Sequence, residues 1–248
     1  MFEDIDKQQN FSKIIHITYK NIEKLEHVKN EWIRLNPNYL VKLYDDAMCI
    51  EFINQHFDKK YTEIFNYITD GPIKCDFFRC CVIYICGGIY VDADIKPLIP
   101  LNEYIEDDVD FATCISYNFK KDEIGFNYNP HFIVSKKNNV FLYKTLKRYE
   151  YLFDTKQPYS YWNWSICRLF IIDEQDDITN EILNDKNIII HNNKKYQFLI
   201  ETLVKDKIEY NFKNFDDIKV DIISEDQMFC KYNNEYVISN FSNKFLLV

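Results

Sequence analysis

The chain has 248 residues, 47% of them hydrophobic, which is enough for one α/β domain with a substantial core. A formal charge of −9 without any block of lysine and arginine argues against a nucleic-acid or anionic-membrane surface, and makes any anionic ligand dependent on a local cation. No run of eighteen apolar residues occurs and the amino end, MFEDIDKQQN, has no charged-then-apolar leader, so a soluble, cytoplasmic protein without an integral membrane segment is expected.

Lys13 to Thr18 reads as a short apolar strand, Glu23 to Leu35 as a polar helix, Tyr39 to Tyr44 as a second strand and Cys49 to Phe57 as a second helix. Asp70-Gly71-Pro72 makes a turn, and Pro72 suits the first turn of a helix that runs on to Gly87. Gly87 and Gly88, two of only four glycines, stand where that helix must stop and redirect, because glycine takes the left-handed conformation without a Cβ clash. Ile89-Tyr90-Val91 is then a third strand. Alternating strands and helices imply a largely parallel sheet with right-handed crossovers, which binds its ligands at the carboxyl ends of the strands. Further on, Asp110 to Ser116 and Phe132 to Ser135 read as strands, and Asn139 to Phe153 as an amphipathic helix. Ser165 to Ile172 reads as a helix behind an aromatic cluster, Tyr159 to Trp164, whose simplest role is a satellite core and whose alternative role is a platform for a sugar acceptor. Asn187 to His191 and Ile218 to Ile223 are expected later strands, with His191 a strand-end residue rather than a ligand.

The chemistry concentrates between Ile73 and Pro97. Asp92 and Asp94 are two residues apart, so on a strand end they share one face, and two carboxylates so close call for a cation. Carboxylate oxygens are the hard ligands that Mn²⁺ or Mg²⁺ prefers, with open positions left for water and substrate phosphates. Asp76 and Arg79 stand upstream at i and i+3, an acceptor and a forked cation on one helix face; the plainer alternative is an exposed intrahelical ion pair. Of eight cysteines, four crowd this helix. None forms a Cys-x-x-Cys pair matched by a second such pair or a His pair, so buried free thiols are expected rather than zinc or disulfides.

The run Lys74-Cys75-Asp76-Phe77-Phe78-Arg79 followed by Gly87-Gly88-Ile89-Tyr90-Val91-Asp92-Ala93-Asp94 resembles the DXD-containing sugar-binding region of glycosyltransferase family 32. Lys13 to Tyr19 is similar to the family's first-strand motif, with Tyr19 at the place of the aromatic that packs on the nucleotide base. Trp32, the Asn36-Pro37-Asn38-Tyr39 turn and Leu43-Tyr44-Asp45-Asp46 follow the family's spacing as well. The resemblance is close over about the first hundred residues. It implies a single GT-A type α/β domain over 1–248, Rossmann-like, with a nucleotide-binding half over 1–100 and an acceptor-side half over 101–248.

The same resemblance implies a metal-dependent, retaining transfer of a sugar from a UDP-sugar or GDP-sugar donor to a glycan, lipid or protein acceptor. Asp94 then binds Mn²⁺ or Mg²⁺ directly, and Asp92 binds it through water or holds the ribose. His16, Ile17, Thr18 and Tyr19 line the nucleotide. Asp76, Arg79, Gly87, Gly88 and Asn129 fall on the sugar's side. The family tends to finish with a His and a Ser-Trp near the carboxyl end; this chain has Tyr236 to Ser242 there, so Asn240 and Ser242 take the place of the last metal ligands. Two other classes remain open: a haloacid-dehalogenase-like phosphatase, whose nucleophile motif Val91 to Ile95 resembles, and a catalytically silent nucleotide-sugar-binding protein.

Overall fold

The structure is a computed structural model that describes residues 11–117, 126–170, 178, 181–182, 187–211 and 227–240, by the backbone alone at 117, 126, 227 and 240. The expected strand at 218–223 and Ser242 lie outside the described residues.

The first half alternates as expected: β1 (Ile14–Thr18), α1 (Glu26–Leu35), β2 (Leu40–Tyr44), α2 (Asp46–His56), α3 (Lys59–Tyr67), α4 (Gly71–Cys86) and β3 (Gly88–Val91). Asp45 caps α2, its Oδ1 accepting from the Met48 N–H at 2.8 Å, so the helix starts three residues before Cys49. α3 was not expected; Asp58 caps it through the Lys60 N–H, and its stripe of Tyr61, Ile64 and Phe65 is buried. Then follow β4 (Ile95–Pro97), β5 (Phe111–Tyr117), β6 (Phe126–Ser135), α5 (Val140–Asp154), α6 (Tyr161–Trp164) and α7 (Ile166–Leu169). The last strands are β7 (Ile188–His191), β8 (Lys194–Lys205), β9 (Ile208–Tyr210), β10 (Gln227–Tyr232) and β11 (Glu235–Asn240).

One sheet runs in the order β2-β1-β3-β6-β5-β8-β10-β11-β4, with β7 and β9 paired to β8. The pairs β1–β2, β1–β3 and β5–β8 are parallel, so the β2-β1-β3 end of the sheet is parallel, and the other described pairs are antiparallel. This sheet flanked by helices is of the α/β class expected from the sequence. β3 and β4 are third and last on that path, yet only Asp92, Ala93 and Asp94 separate them in sequence. A three-residue link spans little more than about 10 Å, so the sheet curls until its far end meets its centre.

Both faces of the sheet are covered. On β3, Tyr90 packs into the core beneath α2, α3, α4 and α5, whereas Ile89 and Val91 pack into the second core with Trp32 of α1. This alternation with full burial is what a central strand covered on both faces requires. Gly87 (φ +63°) and Gly88 (φ +97°) hold positions where a Cβ would lie 2.8 Å from the Lys137 nitrogen and 2.6 Å from the Ile14 carbonyl oxygen. The aromatic cluster splits: Trp164 is fully buried against Tyr67, Tyr149 and Tyr159, while Trp162 is 75% exposed.

Candidate active site

β1, β2 and β3 end side by side, and a cavity of about 560 Å³ opens at their carboxyl ends. Thr18, Tyr19 and Lys20 line it from β1, Tyr44 from β2, Lys74, Cys75, Phe78 and Arg79 from α4, and Asp92, Ala93 and Asp94 from the link after β3. Open α/β sheets bind ligands at this place because the strand ends and helix termini leave main-chain groups unpaired there.

Asp92 and Asp94 do share one side, but for a different reason than strand alternation. β3 stops at Val91, and the Asp92 carbonyl accepts from the Ile95 N–H at 3.0 Å, closing a tight turn that carries both carboxylates. The Asp92 N–H is fixed by the His131 carbonyl at 2.9 Å, which extends the β3–β6 ladder by one bond.

Arg79 holds the turn from below. Its guanidinium donates to Asp92 Oδ1 at 2.7 Å and to the Pro130 carbonyl at 2.5 Å, pairs with Asp76 Oδ1 at 3.0 Å, and lies 4.7 Å over the Tyr90 ring. Asp76 in turn accepts from the Ile166 N–H at 3.0 Å, at the start of α7. The exposed intrahelical pair is thus replaced by a buried chain, Ile166–Asp76–Arg79–Asp92, with the Arg79 and Asp76 side chains only 5% and 11% exposed. Burial pushes the Asp92 carboxyl up to about 6, against the pull of Arg79 and with the help of Asp94. Burial raises Asp76 too, opposed by Arg79 and the Ile166 N–H.

The remaining expected site residues divide. Thr18 lines the cavity, its hydroxyl 2.5 Å from that of Tyr90, and Tyr19 lines it with its N–H anchored on the Tyr44 carbonyl at 3.0 Å. His16 and Ile17 do not line it. Ile17 packs into the core on the α1 side, and His16 is buried with its Nδ1 2.9 Å from the Tyr44 hydroxyl, held neutral because burial lowers its pKa to about 4. Asp76 lies behind Arg79 rather than on the cavity wall. Gly87 and Gly88 serve backbone approach, which is why no side chain fits there, and they are away from the cavity. Asn129 is also away from it, its amide donating to Glu201 at 3.3 Å. Asn240 comes close by its main chain: β11 pairs antiparallel with β4, Asn240 opposite Ile95, one residue past Asp94.

Sequence reasoning missed the cavity's two lysines, Lys20 and Lys74. Lys74 pairs with Asp46 at 3.2 Å, and its spacing of four from Phe78 on α4 was the available signal. Three cations, Lys20, Lys74 and Arg79, and three carboxylates, Asp46, Asp92 and Asp94, thus line a space large enough for a phosphorylated ligand.

Comparison with known proteins returns the family that the motif resembles. Residues 23–110 match the family model described as "Glycosyltransferase sugar-binding region containing DXD motif". Among curated proteins it is 28% identical over 109 residues to the initiation-specific alpha-1,6-mannosyltransferase of Candida albicans, a match covering 40% of this chain, and 22% identical over 109 residues to HOC1 of Saccharomyces cerevisiae, covering 42%. In both cases the chain spans 28% of the relative's length. Among solved structures it is loosely similar to the PaToxG glycosyltransferase (16% identity, TM-score 0.43, 71% of this chain and 74% of that one). It is likewise similar to the catalytic domain of alpha-toxin from Clostridium novyi (11%, 0.39, 73% and 65%). Among the described residues no helix is long and apolar enough to cross a membrane.

Proposed function

We propose that this protein is a metal-dependent, retaining glycosyltransferase that moves a sugar from a UDP-sugar or GDP-sugar to a glycan, lipid or protein acceptor. The observation that carries this reading is the gathering of Tyr19, Arg79, Asp92 and Asp94 around one cavity at the ends of β1 and β3. The acidic pair falls inside the region matched to a transferase family, which favours transfer over the phosphatase reading.

Two carboxylates one residue apart in a tight turn form a hard oxygen donor set, one that fits Mn²⁺ or Mg²⁺. When bound, such an ion supplies positive charge to the diphosphate as it leaves. Asp94 is assigned as its direct ligand and Asp92 as a ligand through water or a ribose contact. Arg79 is a positioning residue for Asp92: its fork fixes one carboxylate oxygen and leaves the other side of the group toward the cavity. Lys20 and Lys74 bind phosphate oxygens, Tyr19 stacks on the base, and the acidic wall is thereby matched with cations where the ligand's own charge lies. In the reaction the anomeric carbon–phosphate oxygen bond breaks, the acceptor oxygen bonds to the same face of that carbon, and its proton leaves with the diphosphate. Residues 1–100 form the donor half and 101–248 the acceptor half, with Asn240 closing the donor side.

The test is donor hydrolysis by water, with UDP-glucose, UDP-galactose, UDP-N-acetylglucosamine and GDP-mannose screened in Mn²⁺ and again in EDTA. Free sugar from one donor in Mn²⁺ alone supports the reading. Tight donor binding without hydrolysis, and without transfer to glycan or lipid extracts, would assign the protein as a silent binder.

A further inference from the structure

Behind the acidic turn, on its protein side, three metal-ligating side chains converge that the transferase reading does not use. Cys114 of β5, His131 of β6 and Cys230 of β10 are 0%, 6% and 0% exposed. The two sulfurs are 3.4 Å apart, Cys230 Sγ is 3.6 Å from His131 Nε2, and one ligand atom from each residue lies within 4.8 Å of the others. Zinc bonded to sulfur at about 2.3 Å and nitrogen at about 2.0–2.1 Å in a tetrahedron sets sulfur–sulfur edges near ~3.8 Å and sulfur–nitrogen edges near ~3.6 Å. The Cys230–His131 pair stands at its edge, the two sulfurs are a few tenths of an ångström inside theirs, and all three ligand atoms lie within 4.8 Å of one another.

A disulfide does not account for the pair. β8 lies between β5 and β10, so the two backbones are about two strand spacings, or roughly 9.6 Å, apart. A disulfide spans only about 4.4–6.8 Å between Cα atoms. The backbone, moreover, is shaped to bring these residues together. The β5–β6 register shifts between Thr113 and Cys114, where Thr113 faces Ile133 and Cys114 faces Asn129, leaving His131 in the bulge. The β10–β11 register shifts between Cys230 and Lys231. Bulges re-aim side chains, and both of these fall on the converging residues.

We infer that Cys114, His131 and Cys230 form a structural site for a thiophilic divalent ion, zinc above all, that ties β5, β6 and β10 together. Hard ions of the kind proposed for Asp92 and Asp94 do not suit two thiolates and an imidazole, so the two sites take different metals. The fourth position falls to an oxygen ligand, for which Glu201, buried on β8 opposite Cys230, is in register. The main chain links this site to the acidic turn, because the His131 carbonyl holds the Asp92 N–H and the Pro130 carbonyl accepts from Arg79. The inference is independent of the proposed activity, and either can fail alone.

The experiment is elemental analysis of the full chain, purified without added metal and without chelator, with zinc counted apart from manganese and magnesium. The expected result is about one zinc per chain, kept in Asp94→Asn and in Cys81→Ala, whose thiol is buried elsewhere, and lost in Cys114→Ala and Cys230→Ala. Should those two variants not fold, cobalt(II) added to wild-type protein stripped of zinc by a chelator, which is then removed, reads the same site. Intense thiolate-to-cobalt charge-transfer bands with tetrahedral d–d bands are expected. Wild-type protein without zinc and without those cobalt bands would overturn the inference, as would zinc retained at full occupancy in a folded Cys114→Ala Cys230→Ala double variant.

Discussion

Replacing Arg79 by lysine separates a positioning guanidinium from a simple positive charge. Arg79 makes charge-assisted contacts to Asp92, part-buried, and to Asp76, buried, and a buried bond to the Pro130 carbonyl, at about 1.5–3 kcal/mol each. A lysine ammonium keeps the charge but cannot place a rigid fork between two carboxylates and a carbonyl, so one or two contacts are lost, or roughly 3 kcal/mol. In a chain of 248 residues each kcal/mol moves the melting temperature by about 2–4 °C, so Arg79→Lys should melt about 6–12 °C below wild type. The control lies in the same molecule: Arg34 pairs with Glu31 at 2.8 Å but is 62% exposed, and Arg34→Lys should cost less than about 1 kcal/mol. Displacing Asp92 by a fraction of an ångström to 1 Å should also lower donor hydrolysis by about 100-fold in Arg79→Lys. The two measurements are a thermal melt and a hydrolysis rate on all three proteins. An Arg79→Lys variant with the melting temperature of the Arg34→Lys control and a wild-type rate would refute the positioning role.

Asp94→Asn should lower turnover by at least about 100-fold with little change in melting temperature, and a nucleoside diphosphate should then stabilise the variant equally in Mn²⁺ and in EDTA, whereas wild type is stabilised far more in Mn²⁺. Tyr19→Ala should weaken nucleotide binding by roughly 5- to 150-fold, the range of an aromatic–base stack of about 1–3 kcal/mol, measured by titration calorimetry. Gly88→Ala places a Cβ 2.6 Å from a carbonyl oxygen at φ +97° and should cost about 3 kcal/mol or more, whereas Gly71→Ala meets nothing within 4 Å and should be near neutral by chemical denaturation. His16 is held neutral by burial, its pKa lowered from 6.5 to about 4, so the unfolded chain takes up the proton first as pH falls. That stability is complete above about pH 6.5 and is lost toward pH 4, by up to roughly 3 kcal/mol, and a His16→Gln variant should show a correspondingly flatter profile.

The elements that local pattern governs were legible. The double glycine ended α4 where expected, because the backbone there closes on Lys137 and Ile14, and the amphipathic stripe of α5 held its bounds to within a residue. The acidic pair was legible as a pair but not as a turn, since its geometry depends on β4 leaving in a new direction, a fact fixed by β11 some 140 residues later. The Asp76–Arg79 pair was visible from i, i+3 spacing, but its burial depends on α7 and β6, which no spacing reveals. Sequence arithmetic on cysteines looks for neighbours in the chain, and Cys114 and Cys230 are 116 residues apart. β8 escaped notice because buried Gln197, Glu201 and Thr202 interrupt its apolar alternation.

The curl that sets β11 against β4 has a consequence for how the protein is made. Everything in the matched region, residues 23–110, leaves the ribosome long before residues 235–240, yet among the described residues the sheet partner of β4 is β11. The nascent chain therefore carries its acidic turn anchored at the β3 end and held at the other by packing and the Trp32 Nε1 bond to the Ile95 carbonyl, without a strand ladder. The turn is secured only when the last hairpin docks, which is a late, non-local step. A fragment that stops short of β10 would hold every acidic residue of the motif and lack the clasp that shapes them.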